Sequence, residues 1–521
     1  MPLRSQYALI TLLALTWAVL VALMLSQPGY TDAYYYYNAA RRLVEGQGLT
    51  DPYLWTYFNA PDHLPGPSHT YWMPLESLVA ALSMTVFGTT FRAAQLPSVL
   101  CYTGLVLLAF GVGRGLGGAV RHGWLAGLLF LFSGFYVPFW VTTDTFALYG
   151  LIGALALLSV ARAINRGQAR WYALTGALSG LAHLTRADGV LLLLVALGAA
   201  LTYGRSGGWR AMARSAVAAV LAYLLVMAPW FVRNISVLGT PLPLGGTDTI
   251  WMRSYDDLVR YPPGSSPADF IAWGIGPILR SRWTALVNNF GTLIAVETWV
   301  VLGPLALLGA WQLRGETAVR CVAVYAILLH LVMTFVFAFP GYRGGLFHSA
   351  AALMPFWAAV TPVGLEAAVA WAARRRRWRY TEARRVFSAA AVVLVFGLSK
   401  GLLHSRLGNW NTNAENYKEL LRMVPADAVV MINDPPALYY HTGLAGVVVP
   451  NASPDVVPEI AARYGVTHLR LDVDRTRPFT GLFLGQETRP YLRLLHHEGM
   501  QTPDLDDDWL LFAIQQGDNA P

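Results

Sequence analysis

The sequence is poor in charge, in lysine and in cysteine. Charged residues make up 13% of the 521 positions, whereas soluble domains carry about 25%. Only two of the 38 basic residues are lysines, and the only two cysteines, Cys101 and Cys321, lie in apolar segments. These shortages exclude a disordered chain, a disulfide framework, a cysteine-rich metal site and an ordinary soluble enzyme.

Apolar residues are abundant and are gathered in long runs. They make up 55% of the chain, and the mean hydropathy is +0.43. Because a membrane-spanning helix needs about 20 apolar residues, the runs predict a mainly α, polytopic membrane protein with about 11 transmembrane helices. The predicted spans are 7–25 (an uncleaved signal anchor), 97–113, 124–140, 146–161, 171–185, 189–204, 215–232, 292–312, 318–339, 346–371 and 386–402.

The arginines predict how the chain is oriented. The apolar segment 74–88 is short and contains Glu76, so we do not count it as a span. The arginines then divide into 18 in six short segments on one side and only Arg186 and Arg343 in the short turns of the other side. Cytoplasmic loops are enriched in basic residues, so we expect a cell (inner) membrane protein with a cytoplasmic N-terminus. The net charge of +8 is explained by this pattern, and no nucleic acid partner is expected.

Three regions on the predicted outer side are long: 26–96, 233–291 and the tail. We predict a transmembrane domain over 1–402, with juxtamembrane helices in its first outer loop, and a small extracytoplasmic α/β domain over 403–521. Alternating strands and helices in the tail predict a small, mainly parallel sheet. The predicted tail strands are 428–432, 446–449, 466–471 and 509–514, and the predicted helices are 416–423, 435–441 and 455–464.

Two acidic residues are candidates for chemistry. Asp32 follows the first span and precedes four tyrosines, and Asp144 lies in a turn between two spans on the same predicted face. An acid at a membrane face is costly unless it has a partner or a task. A helix N-cap is the alternative for both, because aspartate favours that position.

Basic residues on the predicted outer face are few and suggest a bound anion. Arginine is well suited to phosphate, although a snorkelling or salt-bridged arginine, such as Arg186 with Asp188, explains the same pattern. His348 alone fits a structural role equally well, and Glu297 is either a site carboxylate or a satisfied interfacial acid. The candidate phosphate ligands are Arg186, Arg233, Arg343 and His348.

Several motifs, taken in order, resemble those of the GT-C glycosyltransferases. The branch with the greatest similarity contains protein O-mannosyltransferases and aminoarabinose transferases (glycosyltransferase family 39-like). The resemblance covers about residues 1–400. Its motifs are 31–43 with Glu45-Gly46, Tyr71-Trp72-Met73-Pro74-Leu75, Leu184–Gly189, and Pro229–Asn234 continuing to Pro243.

The resemblance implies an integral membrane enzyme that takes a sugar from a polyprenyl-phosphate donor on the outer face, usually with inversion. Asp32 matches the family's first-loop acid, the presumed base, and Asp144 matches its second acidic position. Each is a single acid where the family pattern has a pair, so a divalent metal at Asp32 and Asp144 stays open. The acceptor, whether lipid, glycan or protein, also stays open.

The chemistry agrees with this assignment. A lipid phosphate is a good leaving group whose departing charge needs stabilisation, and a carboxylate can accept the acceptor's proton. A transporter or flippase is the alternative function, but such proteins place charges near the midplane and often show inverted repeats, and the sequence shows neither. The candidate sugar or acceptor ligands are Tyr34, Tyr35, His69, Tyr71, Trp72 and Glu297.

Overall fold

The computed structural model describes residues 2–58, 60–203, 208–412, 414–498 and 508–515, and the chain forms two units. The first unit consists of residues 1–26, 72–241 and 279–408, and the second consists of 27–71, 242–278 and 409–521. The helices Ile275–Thr292 and Tyr380–Thr412 each contain a boundary between the units.

The first unit is built from apolar helices that pack closely. A side chain on Gly176 would approach the Ala219 carbonyl oxygen to 1.9 Å, and one on Gly364 would approach that of Leu305 to 1.9 Å. Small residues therefore let these backbones touch, as is common between membrane helices. The helices of this unit are Leu3–Met24, Leu75–Phe87, Phe91–Gly117, Val120–Leu131, Phe146–Arg166, Ala169–Thr185, Val190–Tyr203, Gly208–Leu238, Gly303–Gln312, Thr317–Leu331, Ala338–Pro340, Leu346–Ser349 and Met354–Arg376.

The mainly α, polytopic fold is confirmed, but fewer helices qualify as spans than the 11 predicted. In the described part of the chain, seven helices are long and apolar enough to cross a membrane, or eight if the pair Val120–Leu131 and Gly134–Val141, bent by 54°, is one span. The helices Ala169–Thr185 and Val190–Tyr203 have 17 and 14 residues. The helix Leu75–Phe87 has 13 residues, which agrees with leaving 74–88 out of the count.

The predicted span 292–312 is broken. A π-helical turn occupies Leu293–Glu297, and the backbone then takes positive φ at Trp299 (51°) and Val300 (64°) before a new helix begins at Gly303. A β-branched residue such as Val300 rarely adopts positive φ, so its sequence does not suggest a turn here. The segment is also mostly apolar, and its hydropathy therefore gave no sign of the break.

The described part of the second unit contains eight strands: β1 Thr50–Asp51, β2 Tyr53–Leu54, β3 Gly66–Pro67, β4 Val429–Ile432, β5 Ala445–Val448, β6 Val466–Asp472, β7 Leu492–Glu498 and β8 Trp509–Ile514. Six of them form a sheet with the order β2-β5-β4-β6-β8-β7. The strands β2, β5, β4 and β6 are parallel, and β8 and β7 continue the sheet antiparallel, so the predicted small, mainly parallel sheet is present. The helices are Thr31–Val44, Leu244–Asp248, Pro267–Ala272, Ala414–Met423, Pro435–Thr442, Val457–Tyr464 and Thr480–Phe483.

The boundaries of this unit differ from the predicted domain 403–521. The strand β2 of the first loop pairs with β5, and the Thr56 hydroxyl donates to the Leu258 carbonyl oxygen at 2.6 Å. Tyr57 and Tyr261 belong to the same hydrophobic core as the helix Val457–Tyr464. Parts of both predicted outer loops therefore fold with the tail, because they cover a face of its sheet.

Candidate active site

In the first unit, the buried Asp144 contacts His348, whose side chain is 12% exposed. The Asp144 Oδ2 lies 3.0 Å from the His348 Nε2, and Asp144 is 1% exposed. The Asp144 Oδ1 accepts from the Thr145 amide at 2.5 Å. The N-cap position of the helix Phe146–Arg166 is Thr145, so the capping alternative for Asp144 is not what the structure shows.

The other imidazole nitrogen of His348 defines its tautomer. The Nδ1 lies 2.8 Å from the Gly344 carbonyl oxygen, which can only accept a hydrogen bond, so Nδ1 carries a hydrogen. The ring also stacks on Phe146 at 4.0 Å. In the neutral form, Nε2 therefore presents a lone pair to the Asp144 carboxylate, and a proton or a cation must lie between them.

This arrangement fits a divalent metal. One carboxylate oxygen and one imidazole nitrogen are common metal ligands. A backbone carbonyl that accepts from the opposite ring nitrogen is the usual support of a ligating histidine. Asp144 and His348 are thus suited to hold a divalent ion. The sequence had left open whether this protein binds one.

Two of the candidate arginines lie near His348. Arg343 is close to it in the sequence, and Arg186 contacts the residue that follows it. Arg343 is exposed and lies in the π-helical turn Gly341–Gly345, just before His348. The Arg186 Nε donates to the Ser349 hydroxyl at 3.0 Å and to the Asp188 carboxylate at 3.2 Å. The predicted salt-bridge alternative therefore holds for Arg186, which also reaches the neighbour of His348.

The remaining candidates of the first unit are Arg233, Trp72 and Glu297. The guanidinium of Arg233 lies 4.8 Å from the Trp230 ring, and Trp72 is partly buried. Glu297 is fully buried, with its Oε1 3.0 Å from the His330 Nε2 and its Oε2 accepting from the Trp357 indole at 3.0 Å. Glu297 is thus a fully buried acid beside a histidine, and its burial does not fit the predicted sugar contact.

In the second unit, Asp32 is the second residue of the helix Thr31–Val44, hereafter the Asp32 helix. Tyr30 occupies the N-cap position, so the capping alternative for Asp32 is not what the structure shows either. An acid in the first turn still interacts favourably with the helix dipole. The Asp32 side chain is partly exposed within the protein.

The first two tyrosines after Asp32, Tyr34 and Tyr35, are buried and contact other residues of the second unit. The Tyr34 hydroxyl lies 3.1 Å from the His441 Nε2, and the Tyr35 hydroxyl donates to Asp51 at 2.9 Å and accepts from the His69 amide at 2.6 Å. Tyr34 and Tyr35 are 1% exposed and His69 is fully buried. Burial raises the pKa of both phenols well above the usual value. These three residues therefore hold the helix in place and do not fit the predicted sugar contacts.

Tyr71 is the remaining predicted ligand of this unit. It is partly buried, and its ring lies 4.9 Å from that of Trp55 in an edge-to-face arrangement. Sequence reasoning missed one residue of importance here, Asp434, which accepts from the Thr31 hydroxyl at 2.7 Å. Its signal was available, since Asp434 precedes two prolines at the start of a predicted helix.

Comparisons with known proteins agree with the resemblance seen in the sequence. Residues 68–232 match the family model of dolichyl-phosphate-mannose-protein mannosyltransferases. A search of curated proteins finds no match.

Solved structures show the fold. The apo structure of ArnT from Cupriavidus metallidurans is similar with a TM-score of 0.59 and 14% identity, over 99% of each chain. The structure of the same protein bound to undecaprenyl phosphate gives 0.55 and 14% over 100% of each chain. The oligosaccharyltransferase AglB from Archaeoglobus fulgidus, in complex with an inhibitory peptide and a dolichol-phosphate, gives 0.56 and 12%, over 90% of this chain and 70% of that one. The predicted resemblance is thus confirmed: this chain has the fold of the GT-C glycosyltransferases, and a segment of it matches their mannosyltransferase family.

Proposed function

We propose that the protein is an integral membrane glycosyltransferase that moves a sugar from a polyprenyl-phosphate donor to an acceptor on the outer face of the membrane. The Asp144–His348 pair is the observation that carries this proposal. A buried carboxylate in an apolar helical unit is costly unless it is paired and has a task. This one lies where the family resemblance puts the second acid, within the segment that matches the mannosyltransferases.

Asp32 is the base in this proposal. The acceptor hydroxyl or amine attacks the anomeric carbon and gives its proton to the Asp32 carboxylate. The bond between that carbon and the phosphate oxygen breaks, and polyprenyl phosphate leaves with the electron pair. A single displacement of this kind inverts the anomeric carbon. The partial exposure of Asp32 suits a group that must reach an acceptor.

The donor phosphate needs cations but no acid. A phosphate leaves without protonation if its developing negative charge is stabilised. Arg343 is exposed and lies five positions before His348, so we assign it to the phosphate. Arg186 supports the same segment through Ser349. Arg233 stays a predicted phosphate ligand, and Tyr71 and Trp72 stay predicted sugar or acceptor ligands.

Asp144 and His348 orient the donor in this proposal and are the residues that would hold a divalent metal. Such an ion would neutralise charge on a departing phosphate. Dialysis of the purified protein against EDTA tests this assignment. We expect turnover to fall and to return on addition of Mn²⁺. Unchanged turnover would mean that the pair shares only a proton.

The outer-face location is tested by labelling single cysteines. In a variant without Cys101 and Cys321, a cysteine at Ser265 should react with a membrane-impermeant reagent added outside, and a cysteine at Gly118 should not. The opposite pattern would place the site on the cytoplasmic face and contradict the proposed orientation.

The activity is tested by turnover in nanodiscs with radiolabelled undecaprenyl-phosphate sugars. Asp32→Asn keeps the size of the side chain but removes the base, and loss of a general base typically costs about 10²–10⁴ in rate. The matched control is Asp62→Asn in the same unit, since the Asp62 side chain is 97% exposed. Near-wild-type turnover of Asp32→Asn at saturating donor would contradict the proposed role of Asp32.

A further inference from the structure

The connections of the tail sheet reverse direction at its strand β4. The helix Pro435–Thr442 connects β4 to β5 on one side, and the helix Val457–Tyr464 leads from β5 back to β6 on the other side of β4. In doubly wound sheets, functional residues often lie at the carboxyl ends of strands beside such a reversal. Asp434 lies at the carboxyl end of β4, two residues after the strand ends.

A residue of the first loop contacts Asp434. The Thr31 hydroxyl donates to the Asp434 Oδ2 at 2.7 Å. The Asp434 Oδ1 accepts from the Ala437 amide at 3.1 Å and caps the helix Pro435–Thr442. One carboxylate therefore joins the first turn of a tail helix to the first residue of the Asp32 helix.

The contacts continue along one face of the Asp32 helix. The Tyr34 hydroxyl meets His441 at 3.1 Å. The Asn38 amide donates to the Pro436 carbonyl oxygen at 2.8 Å, and Arg42 donates to the Tyr439 hydroxyl at 3.1 Å. The four positions 31, 34, 38 and 42 follow helical spacing and share a face. Asp32 is one residue further and lies about 100° around the helix, so it stays off the face that the tail holds.

The chain that enters the Asp32 helix is held by the tail as well. Gly29 has φ 94°, and a side chain there would approach the Trp410 Cγ to 2.6 Å, so the position requires glycine. The Tyr30 ring lies 5.0 Å from that of Trp410, and the Gln27 amide donates to the Trp410 carbonyl oxygen. Tail residues thus contact the chain on both sides of Asp32.

We propose that Asp434 is a positioning residue for Asp32, and that the tail acts as a clamp that fixes the Asp32 helix by its hydrogen bond to Thr31. This inference rests on the proposed role of Asp32 as the base. The tail, which the sequence predicts to be a separate domain, would then affect turnover. A base displaced by about 1 Å can cost about 10²-fold in rate, so a single lost contact is measurable.

Isosteric variants test the clamp. Thr31→Val removes the hydroxyl at constant shape, and we expect kcat to fall about 10- to 100-fold with KM for the donor within about twofold. Thr31→Ser keeps a hydroxyl and should restore most of the rate. Asp434→Ala removes the same contact and also the cap of the helix Pro435–Thr442, so its kcat should be at or below that of Thr31→Val. The double variant should be no slower than Asp434→Ala, because the contact between Thr31 and Asp434 is already lost in that single variant.

A control in the tail separates positioning from loss of stability. Ser453→Ala removes an N-cap of the same kind, in which the Ser453 hydroxyl lies 3.4 Å from the Asp455 amide and donates to the Asp455 carboxylate at 2.7 Å. We expect its kcat to match wild type. Hydrogen exchange of the amides in Thr31–Val44 gives a readout that does not need turnover, and it should be faster in Thr31→Val and unchanged in Ser453→Ala.

The outcomes distinguish this inference from the proposed function. Full kcat and unchanged exchange in Thr31→Val, together with an inactive Asp32→Asn, would overturn the clamp and leave the base in place. An active Asp32→Asn would overturn the role of Asp32 and the positioning role with it. An equal loss of kcat in Ser453→Ala would show that the rate follows the stability of the tail, which also overturns the inference.

Discussion

The Asp144–His348 pair gives the sharpest prediction about the first unit. Two single-residue variants change this pair in different ways. His348→Ala leaves the Asp144 carboxylate buried without its imidazole partner. Asp144→Asn removes the charge and keeps the shape. Its amide oxygen can accept from the Thr145 amide as Oδ1 does now.

The structure sets the size of each effect. Removing one partner from a buried charged pair costs about 3–5 kcal/mol of stability, so His348→Ala should be strongly destabilised. In Asp144→Asn the new NH₂ group donates to the lone pair of the neutral His348 Nε2, because the Nδ1 hydrogen is already directed to the Gly344 carbonyl oxygen. A neutral hydrogen bond replaces the original one, and the expected loss is about 1 kcal/mol or less.

The double variant Asp144→Asn/His348→Ala provides the decisive measurement. It contains no buried charge, so thermal unfolding in detergent should show it to be more stable than His348→Ala alone. Turnover at saturating donor should be low in all three variants. If the double variant is no more stable than His348→Ala, the charge of Asp144 is not what His348 compensates, and the account of this pair is wrong.

Local signals made the tail predictable from the sequence. The helices Pro435–Thr442 and Val457–Tyr464 end at Gly443 (φ 76°) and Gly465 (φ 70°), where only glycine adopts the left-handed conformation easily. Short β-branched runs then gave the central strands to within a residue. The strand β2 was missed because its partner β5 lies about 390 residues away, and a two-residue edge strand has no periodicity of its own.

The candidate site depends on contacts that are distant in the sequence. Asp32 and Asp144 stay predicted site residues, chosen for their positions beside predicted spans. The N-cap alternative is not what the structure shows for either residue, since Tyr30 and Thr145 occupy the caps. The contact between Asp144 and His348 joins positions 204 residues apart, and no local pattern encodes it.

Tyr34 and Tyr35 were predicted to bind sugar or acceptor because they lie in an aromatic loop beside a predicted span, and their burial does not fit that role. The spacing of Thr31, Tyr34, Asn38 and Arg42 instead marks a helix face that packs on the tail. Helical spacing of polar residues was readable in the sequence, but the identity of the packing partner was not.

Three further predictions concern single residues. Arg343→Ala should weaken binding of undecaprenyl-phosphate sugar about 10- to 100-fold, because a phosphate loses a charge-assisted hydrogen bond; unchanged affinity in a binding assay would remove Arg343 from the phosphate site. Gly29→Ala should lower both the unfolding temperature and kcat, since its Cβ would meet Trp410 at 2.6 Å; wild-type values for both would contradict the close approach. Burial raises the pKa of Asp434 from 3.8 to about 6. A raised pKa means that the folded chain binds the proton of Asp434 more tightly than the unfolded chain does. The stability that this proton contributes is therefore fully present below pH 3.8 and is lost as the pH rises through 6. Asp434→Asn carries no charge at any pH and should match wild type near pH 4 but exceed it at pH 8, by about 3 kcal/mol at most. A wild type that gains stability relative to this variant as the pH rises would refute the assignment of the buried carboxylate.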